Sequence, residues 1–205
     1  VIKLLLFNLA GVDYMNVHAL DLNTVRGFGR KKPFFMAAFL MGALGIGGMP
    51  FFNGYVSKTL LHESIVEYIA HLAAHGHSTI IFRIIEWVFL FSGGLTVAYM
   101  LKLFVCLFVE KNPKMQSQYD AKTSYMTGLS KLVLGISALI LPIMGFFPSR
   151  TMDKMADMVM DFMRSGLMHH EVHYFTWVNL KGGLISIGIG LIVYFCIIRK
   201  IFMKN

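Results

Sequence analysis

The sequence predicts an all-α, polytopic transmembrane helix bundle, and three observations carry that prediction. Of 205 residues, 56% are hydrophobic and only 15% charged, against about 25% charged in a soluble globular domain. Several apolar runs approach or exceed the roughly 20 residues that span a bilayer, and the mean hydropathy is +0.63. The basic residues behind the net charge of +8 gather at the ends of those runs, as in Arg30-Lys31-Lys32 and Arg199-Lys200. Membrane helices keep their cations there, beside headgroups and water. No basic stripe and no RNA-binding aromatic signature accompanies the charge, so nucleic acid is not an expected partner. Cys106 and Cys196 lie in separate apolar runs and form no CxxC pair, which leaves a disulfide scaffold, an iron–sulfur cluster and a zinc ribbon unsupported.

About six membrane segments are expected. Residues 1–12 are apolar but for Lys3 and Asn8. They are too short to span alone, as in a chain that begins inside a helix of a longer protein. Residues 13–32 read as a polar, basic loop. Residues 33–48 form the next segment, opened by Pro33, whose missing N–H costs nothing in a first turn. Gly42, Gly45, Gly47 and Gly48 offer another helix a close approach. Helix resumes at 55–72. A single helix over 33–72 would be about 60 Å long at 1.5 Å per residue, twice the roughly 30 Å of hydrocarbon. The chain therefore must break near Pro50, Asn53 and Gly54. Residues 71–78 read as a His-rich loop, 84–109 as a long span carrying Thr96, Tyr99 and Lys102, and 110–127 as a polar loop. Residues 128–147 span again and end at Pro148. In 151–167, Met152, Met155, Ala156, Val159, Phe162 and Met163 follow helical spacing, with Asp153, Lys154, Asp157 and Arg164 between them. This predicts an amphipathic helix lying on the membrane or on a partner. Tyr174-Phe175-Thr176-Trp177 reads as an aromatic interface anchor. The last span is 180–198, where Gly182, Ser186 and Gly190 repeat as a close-packing face.

Four ionisable side chains fall at expected membrane depth: Lys3, Lys58, His62 and Lys102. A lysine at mid-membrane costs about 2.5–3.5 kcal/mol on insertion scales. A buried partner, a hydrated cavity or snorkelling to the surface must offset it; snorkelling is a live reading for Lys3 and Lys102. Lys58 and His62 are four apart and share one helix face. Glu63 and Glu67 lie on an adjoining face, and Glu67 and His71 repeat the spacing. A desolvated lysine and a histidine both take up and release protons near neutral pH. Non-helical backbone occurs at membrane depth only where protein buries it or water lines it, so the break suggests a hydrated cavity beside Lys58. A row of such groups suits a proton path. Other signals are weaker. His71, His75 and His77, or His169, His170 and His173, could hold a metal, but HHEVH lacks the HExxH spacing. The methionines of the amphipathic helix suit adaptable packing better than copper.

With those residues in view, the chain resembles the C-terminal part of the proton-conducting, antiporter-like membrane subunits of respiratory complex I, energy-converting hydrogenases and multi-subunit sodium/proton antiporters. IKLLLFNLAG is similar to the end of that family's HALFKALLFLGAG helix, with Lys3 on its lysine. DLNTVRGFGRKKPF is similar to the loop DL..L.GLGRKMP. LGIGGMPFFNGYVSK is similar to LSLAGIPPFSGFFSK, with Lys58 on its lysine. TVAYMLKLF is similar to AYMxRLF, with Lys102 where the family often has arginine. The motifs run from Ile2 to about Phe108; beyond that only hydropathy matches. The resemblance implies that Lys3 and Lys58 belong to a proton path, Lys58 near its exit half, on a discontinuous helix. It also implies a matching N-terminal half upstream. The family's second proline is Phe51 here, which is expected to soften the break. His62 is outside the motif and rests on spacing alone.

The expectation is thus a membrane subunit that conducts protons, or sodium, through a path of Lys3, Lys58, His62, Glu63 and Lys102, coupled to redox chemistry in partner subunits. Residues 1–110 would be the C-terminal part of the transport core and 111–205 additional helices. No cofactor and no catalytic redox site is expected on this chain, which would be one subunit of an ion-translocating oxidoreductase in a bacterial or archaeal cytoplasmic membrane. Its expected partners are other membrane and peripheral subunits and the lipid bilayer. The rivals are a secondary sodium/proton antiporter subunit, a non-transporting membrane scaffold and a membrane metalloenzyme.

Overall fold

The structure is a computed structural model, and it describes residues 21–122, 124–163 and 173–202. Among these the chain is helical throughout its regular structure, without a strand. Eight helices follow in order: α1 Leu22–Val25, α2 Pro33–Gly47, α3 Asn53–Ala74, α4 Ile80–Phe104, α5 Gln116–Ala121, α6 Gly128–Phe146, α7 Pro148–Phe162 and α8 Trp177–Ile192. α4 and α8 each widen at their ends into π-helix, over Val105–Val109 and Val193–Phe202. Among the described residues, three helices are long and apolar enough to cross a membrane: Ile80–Val109, Gly128–Phe146 and Asn179–Ile201. α2 is apolar but has only 15 residues, about 22 Å at 1.5 Å each. α2 and the more polar α3 are the two pieces of the segment that the sequence requires to break.

Several boundaries differ from expectation, each for a local reason. α1 interrupts the loop expected over 13–32, because the Asp21 carboxylate accepts from the Asn23 amide and caps it. α5 interrupts the loop expected over 110–127. Asn112 prepares it by accepting from the Lys114 and Met115 amides at 2.9 and 3.0 Å. Pro148 ends α6 as expected and is also the first residue of α7, where its fixed φ suits a helix start. α7 ends at Phe162; residues 164–167 of the expected amphipathic helix lie outside the described residues, as do Lys3, His169 and His170.

The chain divides into two compact units, residues 1–42 with 101–139 and residues 43–100 with 140–205. The core of the first is Val25, Phe28, Phe35, Leu107, Phe108 and Tyr119. Its loop backbone runs along the π-helical turn, where the amides of Gly27 and Gly29 donate to the carbonyls of Cys106 and Leu107 at 2.9 Å each. In the second, α3 packs on α7 and α8 around Tyr55, Val56 and Tyr174. Tyr174 is therefore a core residue and not an interface anchor; in that stretch Phe175 and Trp177 are the exposed aromatics. The close-packing face of α8 is present as expected. Ser186 Oγ donates to the Leu90 carbonyl at 3.0 Å, and a Cβ on Gly190 would stand 2.6 Å from the Gly94 oxygen.

Candidate functional site

The site lies wholly in the second unit and starts at the break. α2 stops at Gly47, Gly48 turns with φ +76°, and Phe51 takes φ +71°. A non-glycine residue enters that region only where its surroundings hold it there. The Phe51 ring is stacked between Phe146 and Phe175, with centroids 5.0 and 5.1 Å away. Proline, locked near φ −65°, could not occupy this position. Replacing the family's second proline has therefore not softened the break: residues 48–52 leave helical geometry altogether. α3 then begins hard against α2, since a Cβ on Gly54 would meet the Gly45 carbonyl oxygen at 1.9 Å.

Lys58 answers the end of α2. Its ammonium donates to the carbonyls of Ile46 and Gly47, both at 3.1 Å. These are among the last carbonyls of a helix, which have no partner inside it. They also carry the negative end of its dipole, where a cation is favoured. The break thus supplies what offsets the cost of partly burying this lysine.

On its other side Lys58 opens onto a cavity of about 90 Å³, shared with His62 and bordered by Thr59, Thr96, Asn179 and Ser186. At about 30 Å³ each, roughly three waters fill such a space. Thr96 and Ser186 spend their hydroxyl protons on the carbonyls of Ser92 and Leu90, which leaves their oxygens as acceptors towards water. His62 is buried and pairs through Nε2 with Glu86 Oε1 at 3.2 Å.

The expected path residues are not all brought together. Lys58 and His62 share the cavity. Glu63 does not line it, and one Glu63 carboxylate oxygen is buried without a hydrogen-bond partner. The Tyr174 hydroxyl donates to the Asp153 carboxylate of α7. Burial, that hydrogen bond and the charges of Asp153 and Glu63 push the tyrosine pKa up. Lys102 is half-buried in the last turn of α4 and belongs to the first unit. Lys3 lies outside the described residues. Sequence reasoning missed Glu86, although a single carboxylate near the start of an apolar span is a signal in itself. Among the described residues no three His, Cys, Asp or Glu side chains converge as a metal centre requires. His71 and His75 stack on each other, with Nδ1 of His75 2.9 Å from the His71 carbonyl oxygen.

An all-α integral membrane protein with a cavity-facing lysine at a helix break is the class these features define. Residues 1–82 match the family described as NADH:quinone oxidoreductase/Mrp antiporter, TM. The chain is 25% identical over 175 residues to NADH-ubiquinone oxidoreductase chain 5 of Rhizopus stolonifer, which takes in 83% of this chain and 24% of that one. It is 32% identical over 111 residues to the protein of the same name from Metridium senile, 52% of this chain and 16% of the relative. To that of Mycosarcoma maydis it is 28% identical over 187 residues, 89% and 25%. The chain thus spans about a quarter or less of the length of these relatives. No solved structure gives a significant match. The chain is thus similar, over part of its length, to membrane proteins of the complex I/antiporter-like type.

Proposed function

We propose that this chain conducts protons, or sodium ions, across the membrane through Lys58 and His62, with Lys3, Glu63 and Lys102 as further stations, coupled to redox chemistry in partner subunits. The observation that carries the reading is the double contact of Lys58. Its ammonium is stabilised by the end of α2 and borders a cavity large enough for water, which it shares with a histidine. A lysine placed so can hold a proton on one side and exchange it on the other. The family match over residues 1–82 supports treating residues 1–110 as the C-terminal part of a transport core and 111–205 as additional helices. The matched relatives are named as chains of NADH-ubiquinone oxidoreductase, which supports other subunits, membrane and peripheral, as partners. A bacterial or archaeal cytoplasmic membrane belongs to the same reading and rests on the motif resemblance.

The test is Lys58→Ala in the full assembly, in sealed inside-out vesicles, with proton uptake followed by a pH-gradient dye and assembly checked on the same membranes. Normal assembly with uptake reduced at least tenfold is the expected result. Normal assembly with normal uptake makes Lys58 a tolerated buried charge and removes the path. Because the matched family's description also names the Mrp antiporter, a second reading is exchange of sodium for protons without a redox partner. Uptake driven by an imposed sodium gradient, and not by an electron donor, would select it.

A further inference from the structure

We propose that Glu86 is a proton-carrying residue, the group that receives the proton from His62 and passes it on towards the α3–α4 loop. This rests on the reading of Lys58 and His62 just given and extends the path beyond the cavity.

The geometry sets His62 as a bridge. One face of its ring lies parallel to Phe89, with 12° between the planes and 6.3 Å between centroids. Its Nδ1–Cε1 edge faces Gly182 of α8. A Cβ there would stand 3.0 Å from Cε1 and 3.1 Å from Nδ1, so glycine keeps that edge open where the ring and Gly182 both border the cavity. Nε2 points the other way, to Glu86, which is not among the cavity-lining residues. One nitrogen thus serves the cavity and the other serves Glu86. Nδ1 takes a proton relayed through cavity water from the Lys58 ammonium, and the imidazolium gives its Nε2 proton to the carboxylate, leaving a neutral amine, a neutral Nδ1–H ring and a neutral carboxyl. Release of that proton restores the carboxylate, so one proton enters at the ring and one leaves at Glu86. Glu86 is six residues into α4, about 9 Å along the axis from Ile80. The handover therefore moves charge towards the end of the helix. A carboxylate inside an apolar span is costly without a role or a partner. A fixed ion pair would satisfy that cost, but would not require an open edge on the ring's far side.

Glu86→Gln and Glu86→Asp in the intact assembly decide the matter, with Lys58→Ala alongside and proton uptake expressed per assembled complex. Glutamine keeps a hydrogen bond to His62 but takes no proton; aspartate keeps the carboxyl. The expected result is uptake at least tenfold lower in the glutamine variant and at least half of normal in the aspartate variant. Wild-type uptake in the glutamine variant, or equal losses in both, overturns the assignment and makes Glu86 a structural partner. Loss in Lys58→Ala with normal uptake in Glu86→Gln removes only this inference, whereas normal uptake in both removes the path itself. Should the glutamine variant not assemble, the wild-type complex is treated with a hydrophobic carbodiimide, which attacks protonated carboxyls. An adduct on Glu86 that grows with inhibition supports the assignment, and inhibition without that adduct overturns it.

Discussion

Two lysines, one in each compact unit, solve the same problem in different ways. Lys32 is 1% exposed and donates to the carbonyls of Phe28 and Tyr119 at 2.8 and 3.0 Å. The Phe28 ring lies 4.4 Å and the Tyr125 ring 5.7 Å from its nitrogen. Lys58 also donates to two carbonyls, but its other side borders a cavity with His62, Thr59 and Thr96. Both ammonium groups are compensated by main-chain oxygen. One is closed in by aromatic rings; the other opens onto a cavity that it shares with a histidine. Burial of a charge is thus no signature of transport by itself. What separates the two is the cavity that Lys58 borders.

That contrast can be broken most forcefully by exchanging the two phenotypes. Lys32→Met removes a charged donor from two carbonyls, at about 1.5–3 kcal/mol for a charge-assisted bond, partly offset because an ammonium is no longer buried. The amount of assembled subunit should fall while uptake per assembled complex stays within about twofold of normal. Lys58→Ala should do the opposite, and a loss of specific uptake in Lys32→Met would erase the distinction. Gly54→Ala is expected to be next in size. Its Cβ would meet the Gly45 oxygen at 1.9 Å, which forces α2 and α3 apart at a cost of about 1–3 kcal/mol and draws the Ile46 and Gly47 carbonyls away from Lys58. Uptake and thermal midpoint should fall together; an unchanged midpoint would mean that the break is slack.

The pH dependence of the first unit sharpens the comparison further. Burial holds the Lys32 pKa below the ordinary 10.5, with Asp120 opposing. The folded state therefore binds this proton more weakly than the unfolded state. The cost is fully present below the folded pKa and is relieved as pH rises towards 10.5. Wild-type stability should gain relative to Lys32→Met on going from pH 7 to 10, read by thermal melting. The smallest effect is expected at Asp120, whose carboxyl is held below its usual range by the Gln116 hydrogen bond and by Lys31 and Lys32. Its contribution is present above the ordinary carboxylate pKa and lost as pH falls through the folded one. Asp120→Asn should therefore lower the melting midpoint slightly at pH 7, by an amount that shrinks as pH falls below the ordinary carboxylate range.

The contrast also explains what the sequence could reveal. The break was legible because length forced it: no single helix covers 33–72, and Pro50 marks the place, whereas Asn53 and Gly54 already lie in the first turn of α3. Lys58 and His62 were legible as a pair because four-residue spacing is local. Their shared cavity depends on α8, more than a hundred residues along the chain, yet the repeat of Gly182, Ser186 and Gly190 pointed to that packing. The lone carboxylate of Glu86 in an apolar span was a signal left unread, but its pairing with His62 was not legible, since it joins two helices. Lys32 read as one of three loop cations, because nothing in Arg30-Lys31-Lys32 says that the third is enclosed while Lys31 reaches Asp120 at 3.3 Å in solvent. The contortion of Phe51 was hidden as well, for its positive φ is held by stacking on Phe146 and Phe175, which the sequence does not connect.

The central claim is that Lys58 gives up its proton and does not merely cap α2. Lys58→Arg tests it most directly, because a guanidinium still supplies a cation to the Ile46 and Gly47 carbonyls but does not deprotonate in proteins. In the intact assembly, in sealed vesicles, the account predicts normal assembly with proton uptake at or below a tenth of wild type. Uptake at the wild-type rate would mean that a fixed charge suffices at the break, and that no proton passes through Lys58.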